Sequence, residues 1–226
     1  MTLGDAWEEH ADEWIAWART SSHDGFAAGT WPELQAVLPP ARGVTIEIGC
    51  GEGRVGRELL RLGHRVVGIE QSPTLARAAR QAEPPIPVLR ADAAALPVAD
   101  GVASLVVACM SLLDIDDLDM AVKEAARVLQ PRGQLCMAIV HPFASAEDRA
   151  SWGTDVPMLT EPYLRERRYE DHIERDGLSM TFVSQHRPFS AYVNALADAG
   201  FMMSALREFG RRPIPWLLVA RFEKVR

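Results

Sequence analysis

Glycines recur at alternate positions, Gly49, Gly51 and Gly53, and a carboxylate, Glu70, follows Gly51 by nineteen residues. That spacing suits nucleotide chemistry. Glycines let the chain turn sharply and bring backbone N–H groups against a ligand with no Cβ in the way. A carboxylate at the end of the next strand can accept hydrogen bonds from both hydroxyls of a ribose. Such a site needs rigid flanks, and the neighbouring residues supply them. Val44, Ile46 and Ile48 form a short β-branched run that reads as a buried parallel strand. Val55, Leu59 and Leu62 follow at helical spacing, Gly63 stops that helix, and Arg65 to Ile69 reads as the strand that delivers Glu70. Gly51, Gly53 and Gly56 meet the GxGxxG spacing of dinucleotide binders, while the same stretch read from Glu47 is E-I-G-C-G-E-G. Spacing alone leaves both ligand classes open.

Further candidates lie at other predicted strand ends. Cys109 and Met110 close the apolar run Val102 to Met110, where ligands sit in open α/β sheets. Gln71 and Ser72 start the next helix beside Glu70, Ser72 as N-cap and Pro73 at its first position. His141 and His186 flank the long segment Ala144 to His186 and are the candidate general bases, because a neutral imidazole titrates near working pH. His10, His64 and His172 have no comparable placement. Cys50, Cys109 and Cys136 lack a CxxC spacing, which argues against a metal site or disulfide framework and for a reducing cytoplasm.

Beyond the first motif, the chain resembles the class I S-adenosylmethionine (SAM) methyltransferases, whose first motif is an acidic residue, any residue, then G-x-G-x-G. Arg90-Ala91-Asp92-Ala93, the run Ser104 to Asp117, Arg127 to Gly133 and the tail Pro215 to Lys224 are similar to that family's later motifs in order. The likeness is greatest to small-molecule enzymes of the UbiE or methyltransferase-11 kind. It implies a Rossmann-like α/β fold: a mostly parallel seven-stranded sheet with an antiparallel C-terminal strand, helices on both faces, an N-terminal helical lid and a cap insertion. It also implies SAM as cofactor and S-adenosylhomocysteine as product. The cofactor residues would be Glu47, Gly49, Cys50, Gly51, Gly53, Glu70, Gln71, Asp92, Ala93, Cys109 and Met110. Asp92 would bind the adenine amino group and the next backbone N–H a ring nitrogen. Trp14, Trp17 and Arg19, with His23 and Asp24, would stand near the pocket mouth, and Phe143 in the acceptor pocket.

The acceptor is then a small, hydrophobic or aromatic molecule. An NAD(P)-dependent oxidoreductase is the alternative, disfavoured by a single nucleotide-binding half and by the lack of a Tyr-x-x-x-Lys pair, Lys123 and Lys224 being the two lysines. A non-catalytic SAM-binding module is the other.

At 226 residues the chain suits one domain, with 1–40 as lid and 144–186 as cap. A net charge of −7 removes the general footprint of nucleic-acid binding, and no membrane-spanning or export segment is visible, so a cytoplasmic monomer or homodimer is expected. Asp5 to Arg19 reads as one helix capped by Asp5 with Glu8. Asp116 or Asp117 caps a helix through Leu129. Pro131-Arg132-Gly133 suggests a type I turn, since Arg disfavours positive φ. Asp176-Gly177 between Arg168–Arg175 and Leu178–Gln185 signals a hairpin pairing Ile173 with Met180. The last helix, Ser190 to Ala199, would turn Val193, Leu196 and Ala197 inward, ahead of strands Phe201 to Arg207 and Pro215 to Phe222.

Overall fold

The computed structural model describes residues 1–20, 23–152, 154–210 and 213–225. Among them, β1 (Val44–Ile48), β2 (Arg65–Glu70), β3 (Val88–Arg90), β4 (Ala103–Cys109) and β5 (Leu129–Val140) run parallel, in the order β3-β2-β1-β4-β5. β8 (Phe201–Phe209) and β9 (Leu217–Lys224) complete the seven-stranded sheet, β9 antiparallel between β5 and β8. Strand order reverses between β1 and β4, which opens a crevice at their carboxyl ends.

Alternation along each strand splits the core between two faces. Ile46, Ile48, Val106, Leu135 and Met137 pack under α6 (Leu118–Val128) and α8 (Phe189–Asp198). Val66, Leu105, Val107, Cys136 and Ala138 pack under α3 (Trp31–Gln35) and α4 (Arg54–Arg61). α5 (Pro73–Gln81) covers the β2–β3 edge through Ala76 and Ala79. No helix among the described residues is long and apolar enough to cross a membrane.

The N-terminus departs from the expected single helix. α1 (Leu3–Glu9) starts after Thr2, whose side chain and Asp5 form the capping box, and α2 (Ala11–Arg19) begins after a break at His10. Asp5 is therefore at the third helical position and not the cap, while Glu8 accepts hydrogen bonds from Ser72 and Thr74, pinning α1 to the start of α5. A turn of π-helix, Phe26–Thr30, precedes α3. The turn at Pro131 also differs. Arg132 adopts φ +63 inside β5, where pairing with β4 breaks after Leu129 and resumes at Gln134, and a Cβ on Gly133 would stand 2.8 Å from the Gln130 carbonyl oxygen. Left-handed backbone costs a non-glycine residue about 1–2 kcal/mol, which Arg132 bears while Gly133 meets the space limit of the turn. In α8 the buried residues are Tyr192, Ala195 and Leu196, so Ala197 faces out and Val193 is only half-buried.

After β5 come α7 (Pro142–Ala146) and then a hairpin of β6 (Arg167–Arg175) and β7 (Leu178–His186), with Ile173 opposite Met180 as the Asp176-Gly177 turn requires. Asp176 and Gly177 both have positive φ, 51° and 79°, as a type I′ turn demands. Lid and hairpin meet: Trp14 and Trp17 each set a ring 6.0 Å from Phe182 on β7, and Trp7 Nε1 donates to the Val183 carbonyl at 3.1 Å.

Candidate active site

The crevice holds a cavity of about 410 Å³, within the range of small-molecule sites. Its floor is the carboxyl ends of β1, β2, β4 and β5, and its cover is α1, α2 and the hairpin. Gly49 and Gly51 have φ +66 and +55, conformations that L side chains rarely adopt. A Cβ on Gly51 would sit 3.3 Å from Trp14 Nε1, and one on Gly49 would press into Ser111. Gly53 (φ +91) lies outside the cavity wall: it packs against Ala79 and Ile86, so it serves the helix–strand contact rather than the ligand.

Glu70 is 8% exposed and fixed by two backbone donors, Gly51 N–H at 2.8 Å to Oε2 and Ser72 N–H at 2.9 Å to Oε1. Burial raises its carboxyl above the usual range, those N–H groups pulling the other way. Glu47 lies deeper, on the α4 side of β1, where a Cβ on Gly56 would approach its Oε2 to 2.7 Å. That Oε2 is buried with no hydrogen-bond partner, and burial, then the charge of Glu70, pushes the Glu47 carboxyl well up. A ligand bringing positive charge and N–H donors relieves both strains, and SAM carries an ammonium and a sulfonium. The residues present fit that cofactor. Cys50, Gln71, Asp92, Ala93, Cys109 and Met110 line the same wall, and Met110 holds φ +55, strain of the kind found at ligand sites.

The sequence of residues 46–137 matches the family described as methyltransferase domain. Those residues carry a methyltransferase domain. It is similar in fold to a SAM-dependent methyltransferase from Mesorhizobium loti (24% identity, 85% of this chain and 96% of that one, TM-score 0.68). A putative one from Listeria monocytogenes gives 22% identity over 88% and 98% of the two chains, with a TM-score of 0.71. A 4+2 cyclase, SpnF, also superposes (16% identity, 99% and 97%, TM-score 0.70). No curated protein sequence matches the chain. The family match runs from β1 into β5, so it spans the cofactor half and leaves the lid and hairpin outside.

The acceptor-side expectations fare differently. Trp14 lines the cavity. Trp17 does not: it is 2% exposed, wedged between His23 and Phe182. Arg19 reaches over the outside, donating to Glu52 Oε2 at 3.0 Å and to the Ala78 carbonyl at 3.0 Å, which ties α2 to the glycine loop and α5. Phe143 is half-exposed away from the cavity, against His141 and Tyr163. The two candidate bases are both absent from the cavity wall. His141 caps α7, its Nδ1 accepting from Phe143 N–H at 3.1 Å, and its Nε2 meets Glu208 at 2.8 Å. His186 is held at both nitrogens, by Ser145 Oγ at 2.7 Å and the Tyr163 carbonyl at 2.8 Å, and burial lowers its pKa. Both nitrogens of each ring are engaged and neither residue lines the cavity, so the geometry does not place either as the base.

In their place the inner face of the hairpin presents Tyr169, Asp171 and Ile173 from β6 and Phe182 and Ser184 from β7, facing Asp114. Ser184 Oγ donates to Asp114 Oδ1 at 2.6 Å. Period-two alternation along β6 could have picked out the first three. Arg54 was also missed; it opens α4, pairs with Asp24 and lies over Trp14 and Phe26 at 4.6 and 4.3 Å from their ring centroids.

Proposed function

We propose that the whole chain, 1–226, acts as one methyltransferase domain that transfers the methyl group of SAM to a small acceptor with an apolar body. The observation that carries this reading is continuity. One cavity joins the Glu70 and Asp92 wall, suited to ribose and adenine, to the Trp14, Ile173, Phe182 and Tyr169 wall on the hairpin and lid. Such a space takes a cofactor and a small molecule together, and it excludes a polymer. Glu47, Gly49, Cys50, Gly51, Glu70, Gln71, Asp92, Ala93, Cys109 and Met110 hold the cofactor; Trp14 faces the acceptor. SAM supplies an electrophilic methyl group, so the protein's task is to align a nucleophile and exclude water. The cyclase with this fold shows that the fold does not fix the chemistry.

A reducing cytoplasm suits the chain, since Cys50, Cys109 and Cys136 are free thiols whose pKa values burial pushes up, Cys109 and Cys136 to about 12. Titration calorimetry with SAM, S-adenosylhomocysteine and NADH tests the reading. The first two should bind and NADH should not. Binding of NADH alone would overturn it in favour of hydride transfer.

A further inference from the structure

The carboxylates on the cavity wall sort by partner. Asp24 pairs with Arg54, Asp116 with Arg168, Asp171 with Arg149, and Glu52 with both Arg19 and Arg57. Asp117 caps α6. Glu47, Glu70 and Asp92 belong to the cofactor half. Asp114 is left over. Its Oδ1 takes the Ser184 hydroxyl, yet no cationic side chain among the described residues reaches ion-pair distance of it. Arg187, whose charge acts on Asp114, spends its guanidinium on the carbonyls of Leu112, Ile115 and Asp116, at 3.2, 2.6 and 3.2 Å, and on Glu166 at 3.5 Å.

The wall around Asp114 is aromatic and aliphatic: Trp7, Trp14, Tyr169, Ile173 and Phe182. A carboxylate in such surroundings is costly unless a positive charge joins it, and ring faces favour a cation over water. The arginines on that side, Arg54, Arg149, Arg168 and Arg187, are already engaged, so an anionic acceptor finds no free cation among the described residues. On the reading that methyl transfer occurs in this cavity, we propose that Asp114 binds the acceptor as an ammonium ion, making the substrate a primary or secondary amine with an apolar body and the product its N-methyl derivative.

The protons balance. The groups facing Asp114 are Trp7 from α1, Glu70 from β2, Tyr169 from β6, Ser184 and Arg187 from β7 and just beyond it, and Tyr192 from α8. Burial pushes its carboxyl up to about 8 against the pull of Ser184 and Arg187, so at neutral pH the resting side chain is protonated. An arriving ammonium displaces that proton to solvent. The carboxylate then takes an N–H proton, which frees the nitrogen lone pair. The N–C bond forms as the C–S bond breaks with its electron pair going to sulfur, and the product leaves as a methylammonium with Asp114 protonated again. One proton reaches solvent per turnover.

The test is calorimetric, on the full chain saturated with S-adenosylhomocysteine, using phenethylamine, 2-phenylethanol and 3-phenylpropionate as matched probes. The amine should bind more tightly than the alcohol or the acid by about tenfold or more. Repeating the titration at pH 7 in buffers of different ionisation heat should show release of about one proton. Asp114→Asn should lose the amine preference and the proton release while binding S-adenosylhomocysteine as the parent does. Equal binding of alcohol and amine, no binding of the amine, or an unchanged preference in D114N overturns the proposal. Should D114N fail to fold, the preference of the parent decides alone. Failure of the parent to bind S-adenosylhomocysteine would instead sink the methyltransferase reading beneath it.

Discussion

Replacing Glu70 by alanine removes the acceptor on which two loops converge. Gly51 N–H and Ser72 N–H reach one oxygen each, at 2.8 and 2.9 Å, and the carboxylate is 8% exposed. The carboxylate lines the cavity in which the ribose is proposed to sit. Loss of hydrogen bonds to a buried charged group costs a ligand about 1.5–3 kcal/mol, roughly ten- to a hundred-fold in Kd. The protein is affected as well, because each N–H left buried without an acceptor costs about 1–3 kcal/mol of stability, less at Gly51, where water in the cavity can replace the oxygen. Glu70→Gln sharpens the argument. Its amide keeps the volume but must turn an NH2 toward one of the two N–H donors, so it should also bind poorly. The assay is calorimetric titration of S-adenosylhomocysteine into parent, E70A and E70Q, with circular dichroism to confirm folding. If folded E70A binds as tightly as the parent, Glu70 does not hold the cofactor and the ribose lies elsewhere.

Gly51→Val places a branched side chain at φ +55 with its Cβ 3.3 Å from Trp14, so the variant should fold with a lowered Tm and show no measurable S-adenosylhomocysteine binding; normal affinity would refute the proposed turn. His141→Ala and His186→Ala should each destabilise the chain by roughly 1–3 kcal/mol in denaturant titration, through lost buried hydrogen bonds, and leave methyl transfer at 25 °C nearly unchanged. A fall in turnover of about a hundredfold or more, with folding intact, would return one of them to the role of base.

The cofactor half was legible because its determinants are local. Positive φ at Gly49 and Gly51, the β-branched run before them and the carboxylate ending the next strand lie within one stretch of chain, and period and residue type report them directly. The Asp176-Gly177 turn fixed its hairpin register for the same reason.

The acceptor half was not legible, and the reason is sequence separation. Asp114 meets Ser184 across 70 residues and Ser145 meets His186 across 41, so which side chain faces the cavity depends on how far the hairpin folds back and on the lid that packs against it. Histidines at the ends of the insertion looked chemical by position; tertiary packing spent both rings on caps and carbonyls. Arg132 shows the same limit in the backbone: its residue type disfavours positive φ, yet it holds φ +63 where the pairing of β5 with β4 shifts register. By itself the sequence determined the sheet and the glycine turn, both set within a turn or a strand. Only the tertiary structure decided which carboxylate was left without a cationic partner, because pairing is a property of neighbours in space.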